Sequence, residues 1–114
     1  MAKHLLRHAP FSLIMDGMIY TEHHKRIELY TKALGHITRL KILKFISKDF
    51  KSVNEIAEEM GLSHSVCSSH LGILWRAGLV IKKRVKNFSY YKLNSEKFHE
   101  IQKEVRNFIF DELK

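Results

Sequence analysis

The sequence predicts a mainly α-helical domain that carries a small β-hairpin and ends on one last helix. Three observations predict it. Two short helical stretches, one capped at Ser52 and one running from Ser63 to Ala77, are separated by a turn of only Gly61-Leu62. A β-branched, basic run from Leu79 to Val85 and an aromatic run from Phe88 to Leu93 flank Lys86-Asn87, which reads as a turn because Asn tolerates positive φ. Elsewhere apolar residues recur at helical spacing, and Pro10 is the only proline, so little interrupts the helices.

Residues 1–20 are punctuated by Pro10 and Gly17 and read as an arm or short helix; residues 21–114 form the domain. Thr21 is placed to cap the first helix, with Glu22 near its positive end, Ile27, Tyr30 and Leu34 on one face, and Gly35 closing it. The next helix carries Ile37, Leu40, Leu43 and Ile46 on one face, with Arg39, Lys41 and Lys44 elsewhere. It gives way to a loop over 48–51. Ser52 and Glu55 form a capping-box pattern ahead of Val53, Ile56, Ala57 and Met60, and Gly61 ends that helix. In the helix that Ser63 caps, Cys67, Leu71 and Leu74 point inward, supported by Val66, His70 and Ile73. Its outward face reads Ser65, Ser68, Ser69, Gly72 and Arg76. A solvated helix face usually carries long charged side chains; small hydroxyls suit close approach to base edges and phosphates. Gly78 ends the helix, the hairpin follows, and Ser95 caps a final helix lined by Phe98, Ile101, Val105 and Phe108. The order is α-α-α-α-β-β-α.

The 114 residues suffice for one domain. Twenty Lys and Arg against twelve Asp and Glu give a net charge of +8, which favours a polyanionic partner. The surplus is local: Lys82, Lys83, Arg84, Lys86 and Lys92 fall between Leu79 and Leu93 with no acid among them. One cysteine excludes an intrachain disulfide or a Cys-based zinc finger, and fits a reducing cytoplasm. No apolar run approaches the ~18 residues of a membrane span, and Arg7, His8, Pro10 and Asp16 interrupt any signal-peptide core. The chain is therefore expected to be cytoplasmic, with no membrane partner. No nucleophile–base set, phosphate loop or carboxylate pair stands out, so an enzyme is not expected. His4 and His8 lie four apart and His23 and His24 are adjacent, but these read as surface histidines, and neither metal nor cofactor is expected.

Two helices in a tight turn followed by a basic hairpin make a winged helix-turn-helix. The stretch from about Leu34 to Leu93 resembles the ArsR (arsenic-repressor-like) transcriptional regulators. The likeness rests on Thr38-Arg39-Leu40-Lys41-Ile42-Leu43, Glu55-Ile56-Ala57, Leu62-Ser63-His64-Ser65, Ser68-Ser69-His70-Leu71, Ala77-Gly78-Leu79-Val80 and Tyr90-Tyr91-Lys92-Leu93. It implies a homodimeric repressor on double-stranded DNA at a palindromic operator, dimerised through the first and last helices. Ile27, Tyr30, Leu34, Phe98, Ile101, Val105 and Phe108 are the expected interface. On DNA, His64, Ser65, Ser68 and Ser69 would face bases, with Lys51, Ser52, Lys82, Lys83, Arg84 and Lys86 on the backbone or minor groove. Where family metal sensors carry Cys-Val-Cys, this chain reads Ser52-Val53-Asn54, and it lacks the second cysteine of a dithiol switch. The resemblance thus supplies a DNA-binding framework and no effector. A reading from another class is a protein-interaction module or antirepressor that keeps the fold, with Trp75 on its partner surface.

Overall fold

The computed structural model describes residues 20–110; the expected arm, with His4 and His8, lies outside that range apart from Tyr20. Five helices and a three-stranded antiparallel sheet follow in the order α1 (Glu22–Leu34), α2 (Ile37–Phe45), β1 (Lys51–Ser52), α3 (Val53–Met60), α4 (His64–Arg76), β2 (Val80–Val85), β3 (Phe88–Leu93) and α5 (Ser95–Phe110). The strand order is β1-β3-β2. This is the expected winged helix-turn-helix with one addition: β1 falls where a loop was expected and pairs Lys51 with Tyr91 and Ser52 with Tyr90. It ties the start of α3 to the wing.

The caps follow the sequence except at α5, where Asn94 and not Ser95 is the cap: its Oδ1 accepts from the Lys97 N–H at 3.1 Å, and Ser95 is already helical. The Thr21 hydroxyl accepts from the His24 N–H, and the His24 ring accepts from the Thr21 N–H, closing a capping box with histidine in the usual Glu position. Ser52 and Glu55 make the same exchange at α3, at 3.1 and 2.8 Å. Gly61 takes φ +67° at the end of α3, and Gly78 takes φ +79° with the Lys97 side chain packed over it. Gly35 differs from expectation: its φ is −88°, so α1 does not end in a left-handed residue. Glycine fits there because a Cβ would sit 2.8 Å from the Thr31 carbonyl oxygen.

The core is built from Ile42, Ile46, Ile56, Leu71, Leu74, Leu79 and Ile101, all fully buried or nearly so. It bears out Leu43 and Ile46 on the expected face of α2 and corrects the rest. Ile37 is 64% exposed and Leu40 41%, whereas Arg39, Ile42, Leu43 and Ile46 point inward. Arg39 turns in because it has work there: its Nε donates to the Ala33 carbonyl at 2.9 Å, its Nη2 to that of Lys32, and its Nη1 to His70 Nδ1 at 3.1 Å. Both carbonyls lie in the last turn of α1, where a helix runs out of its own donors; the Gly35 N–H also reaches that of Lys32, at 3.2 Å. One buried guanidinium therefore locks the end of α1 to α2 and α4.

Candidate nucleic-acid interface

Helix α4 is positioned by its apolar side. Cys67, Leu71 and Leu74 are buried as expected, and Ser63 caps the helix by accepting from the Val66 N–H at 3.2 Å. Burial raises the Cys67 thiol's pKa and keeps it neutral, a core group rather than a reactive thiolate. With that side fixed, His64, Ser65, Ser68 and Ser69 all stand exposed on the opposite side. His70 turns away from them. Its Nδ1 faces Arg39, which can only donate, so that nitrogen accepts and the ring is neutral. Burial first, then the charges of His36 and Arg39, hold its pKa below the usual histidine range; the His36 ring lies edge-on at 4.8 Å.

The wing stands beside this face. Strand pairing sets Lys82 opposite Tyr91, Lys83 opposite Tyr90, Arg84 opposite Ser89 and Val85 opposite Phe88. Alternation divides the basic residues between the two faces of the hairpin. On one face Lys82 Nζ lies 5.9 Å from the Tyr91 ring, and Arg84 donates to the Ser89 hydroxyl at 3.4 Å. On the other, Lys83 and Lys92 sit over the Phe50 ring, at 4.3 and 5.9 Å. A polar cleft of about 280 Å³ opens between wing, α3 and α4, and Ser52, Asn54, His64, Ser68, Arg84 and Tyr91 line it. Four residues singled out in the sequence — Ser52, His64, Ser68 and Arg84 — thus meet in one place. Lys83 does not join them. Lys51 lies apart as well, its ammonium over Phe45 at 5.3 Å, while Lys86 forms the hairpin turn with φ +56°, the left-handed residue expected to be Asn87.

The expected dimer residues divide. Ile101 is fully buried, and Ile27 and Tyr30 are 8% and 3% exposed, so these three serve this chain's own core and have almost no surface left to offer a partner. Leu34, Phe98 and Val105 are half-buried and Phe108 is exposed. Beyond them Ile109 and Phe110 are 56% and 55% exposed, and an apolar groove of about 770 Å³ runs between the end of α1 and α5. Ile109 and Phe110 fell outside the sequence expectation, although they continue its apolar run. At the other end of this helix pair, Glu104 accepts from Arg26 at 3.1 Å and lies 3.2 Å from the His23 ring nitrogen. No cluster of three or more metal-ligating side chains occurs among the described residues, and no helix among them is long and apolar enough to cross a membrane.

The model of the bacterial regulatory proteins of the arsR family matches residues 36–82, from the N-cap of α2 into β2. The transcriptional repressor SdpR of Bacillus subtilis is 33% identical over 78 residues, covering 68% of this chain and 87% of that protein. The chain belongs to the arsR family. The uncharacterised HTH-type transcriptional regulator Rv0081 of Mycobacterium tuberculosis is 35% identical over 65 residues. That match covers 56% of this chain and 57% of Rv0081, so the chain spans little more than half that relative's length. Among solved structures, the homodimeric winged helix-turn-helix DNA-binding domain of Mb0332 from Mycobacterium bovis is similar in fold as well as sequence. It has a TM-score of 0.62 and 26% identity, and the match covers 78% of this chain and 82% of that one. In arsR-family terms α3 and α4 are the helix-turn-helix and β2–β3 the wing.

Proposed function

We propose that this chain is a homodimeric, sequence-specific transcriptional repressor of the arsR family that binds a palindromic operator. One observation carries the reading: His64 and Ser68, from the exposed polar face of α4, line the same cleft as the wing's Arg84 and the capped start of α3. A helix in the major groove needs side chains short enough for its backbone to come near the bases, and Ser65, Ser68 and Ser69 are that short. Arg84 then meets phosphates on the flank. The Ser52 hydroxyl accepts within its capping box and keeps its own proton for a phosphate oxygen. SdpR is a repressor and the Mb0332 domain a homodimer that binds DNA, which supports the same roles here.

The dimer would form through α1 and α5, where Leu34, Val105, Phe108, Ile109 and Phe110 offer an apolar face that water suits poorly. A two-fold axis there presents two α4 helices to half-sites about one helical turn apart. The function is binding, carried out in the cytoplasm.

The test is a gel-shift titration of the full chain on a palindrome selected from random DNA. The expected result is tight, salt-sensitive binding of a dimer to the selected sequence. Equal affinity for selected and scrambled DNA at moderate salt would sink the proposal. In that case the exposed Trp75, at the far end of α4, would favour a protein-interaction module.

A further inference from the structure

The wing tip does not look like a simple phosphate clamp. Val85 and Phe88 face each other across the two-residue turn and are 46% and 54% exposed. Neither contributes to the core, which stops at Val80 on this strand. Between them Lys86 holds a left-handed backbone, φ +56°, a conformation that side chains other than Asn and Gly rarely adopt. Behind the tip, the Arg84–Ser89 contact braces the two strands. The tip therefore presents two apolar side chains, a lysine in the turn and an arginine behind.

The occupant must suit both characters. No acid occurs from Leu79 to Leu93, so the surface fits a polyanion and not a basic or neutral protein face. The tip is continuous with the cleft that contains the α4 residues, since Asn87 and Phe88 line its outer edge. A polyanion that also offers apolar walls, and that lies next to a major groove occupied by α4, is the minor groove, with sugars along its sides and phosphates at its lips. We propose, resting on the DNA-binding reading above, that Val85 and Phe88 form an apolar wedge that enters the minor groove beside each half-site. Lys86 points to the groove floor and Arg84 to the phosphate lip. The wedge makes this protein sensitive to the width of the flanking minor groove, and so to flanking A·T content, at base pairs that no side chain reads by hydrogen bonds.

The experiment uses the full chain, the selected palindrome with A·T-rich or G·C-rich flanks, and the variants Phe88→Thr, Phe88→Leu and Lys86→Ala. Thr keeps strand propensity, so the hairpin survives, and a thermal melt confirms it. Phe88→Thr is expected to weaken binding about tenfold, to leave the salt dependence unchanged, because an apolar contact releases no counterions, and to erase the flank preference. Phe88→Leu retains most of both. Lys86→Ala lowers the salt slope by about one. Wild-type-like affinity and flank preference in Phe88→Thr would overturn the wedge while leaving the repressor reading intact. Loss of dimer mass in Phe88→Thr would overturn it in favour of a contact between copies. Absence of any sequence preference in the wild-type protein would overturn both readings at once.

Discussion

Helices α4 and α5 are both amphipathic and both leave one face open, but they leave it open in opposite ways. The open face of α4 is short, polar and backed by a lysine- and arginine-rich wing. That of α5 ends in Phe108, Ile109 and Phe110, beside an apolar groove. A polar, cationic face stays hydrated until a polyanion displaces counterions from it, whereas an apolar face gains from leaving water altogether. The contrast is the basis for proposing DNA at one end of the molecule and a second copy at the other. It also predicts that the two activities can be removed separately.

The largest effect is expected where the two ends join. Arg39 serves carbonyls in the last turn of α1 and the ring of His70 on α4, so Arg39→Ala strands the buried Ala33 carbonyl and takes the donor from the half-buried His70 ring. A loss of about 3 kcal/mol of stability is expected by urea denaturation. A change below about 0.5 kcal/mol would show that the ends are not coupled through it. Next, Ser68→Glu sets a carboxylate against the phosphates and should weaken operator binding about 30-fold. Sedimentation should give an unchanged dimer mass; a dimer lost together with DNA binding would break the comparison. Conversely, Ile109→Glu should raise the dimer dissociation constant about tenfold, and half-site affinity should stay as it was.

A smaller effect is expected from acid. His70 is neutral and its pKa is lowered by burial and by neighbouring His36 and Arg39. The unfolded chain therefore takes up a proton first as pH falls. Stability from this group is full above its ordinary value of 6.5 and is lost as pH drops through its lower folded value. Melting temperatures at pH 7.5 and 5.5 should differ more in the wild type than in His70→Asn, which keeps an acceptor and does not titrate. An equal difference in the two proteins would remove His70 from the account.

The α4 end was the more legible one in the sequence. Its caps and turn are local signals: Ser52 and Glu55 three residues apart, Gly61 at positive φ, Ser63 ahead of Val66. Its exposed polar face followed because Cys67, Leu71 and Leu74 form one unbroken apolar stripe. On α2 the same reasoning was half right: Leu43 and Ile46 are buried, but Ile37 and Leu40, which continue the same stripe, are exposed. What decides is that Arg39 finds the carbonyls of α1, a tertiary partner that periodicity does not contain. Strand β1 is two residues long and depends on Tyr90 and Tyr91 far along the chain, so no local pattern marks it. The split of the wing lysines needed the strand register and the position of Phe50. Ile27, Tyr30 and Ile101 looked like interface because an apolar helix face does not announce whether its partner is this chain or another.

The division of labour between the two ends is tested most directly by amide hydrogen exchange of the full chain, with and without the selected palindrome, under conditions where it is already dimeric. The account predicts added protection in α4 from His64, at the start of α3 and across Val80–Leu93, with α1 and the end of α5 unchanged. Protection confined to α1 and α5, with α4 and the wing exchanging as freely as before, would contradict it.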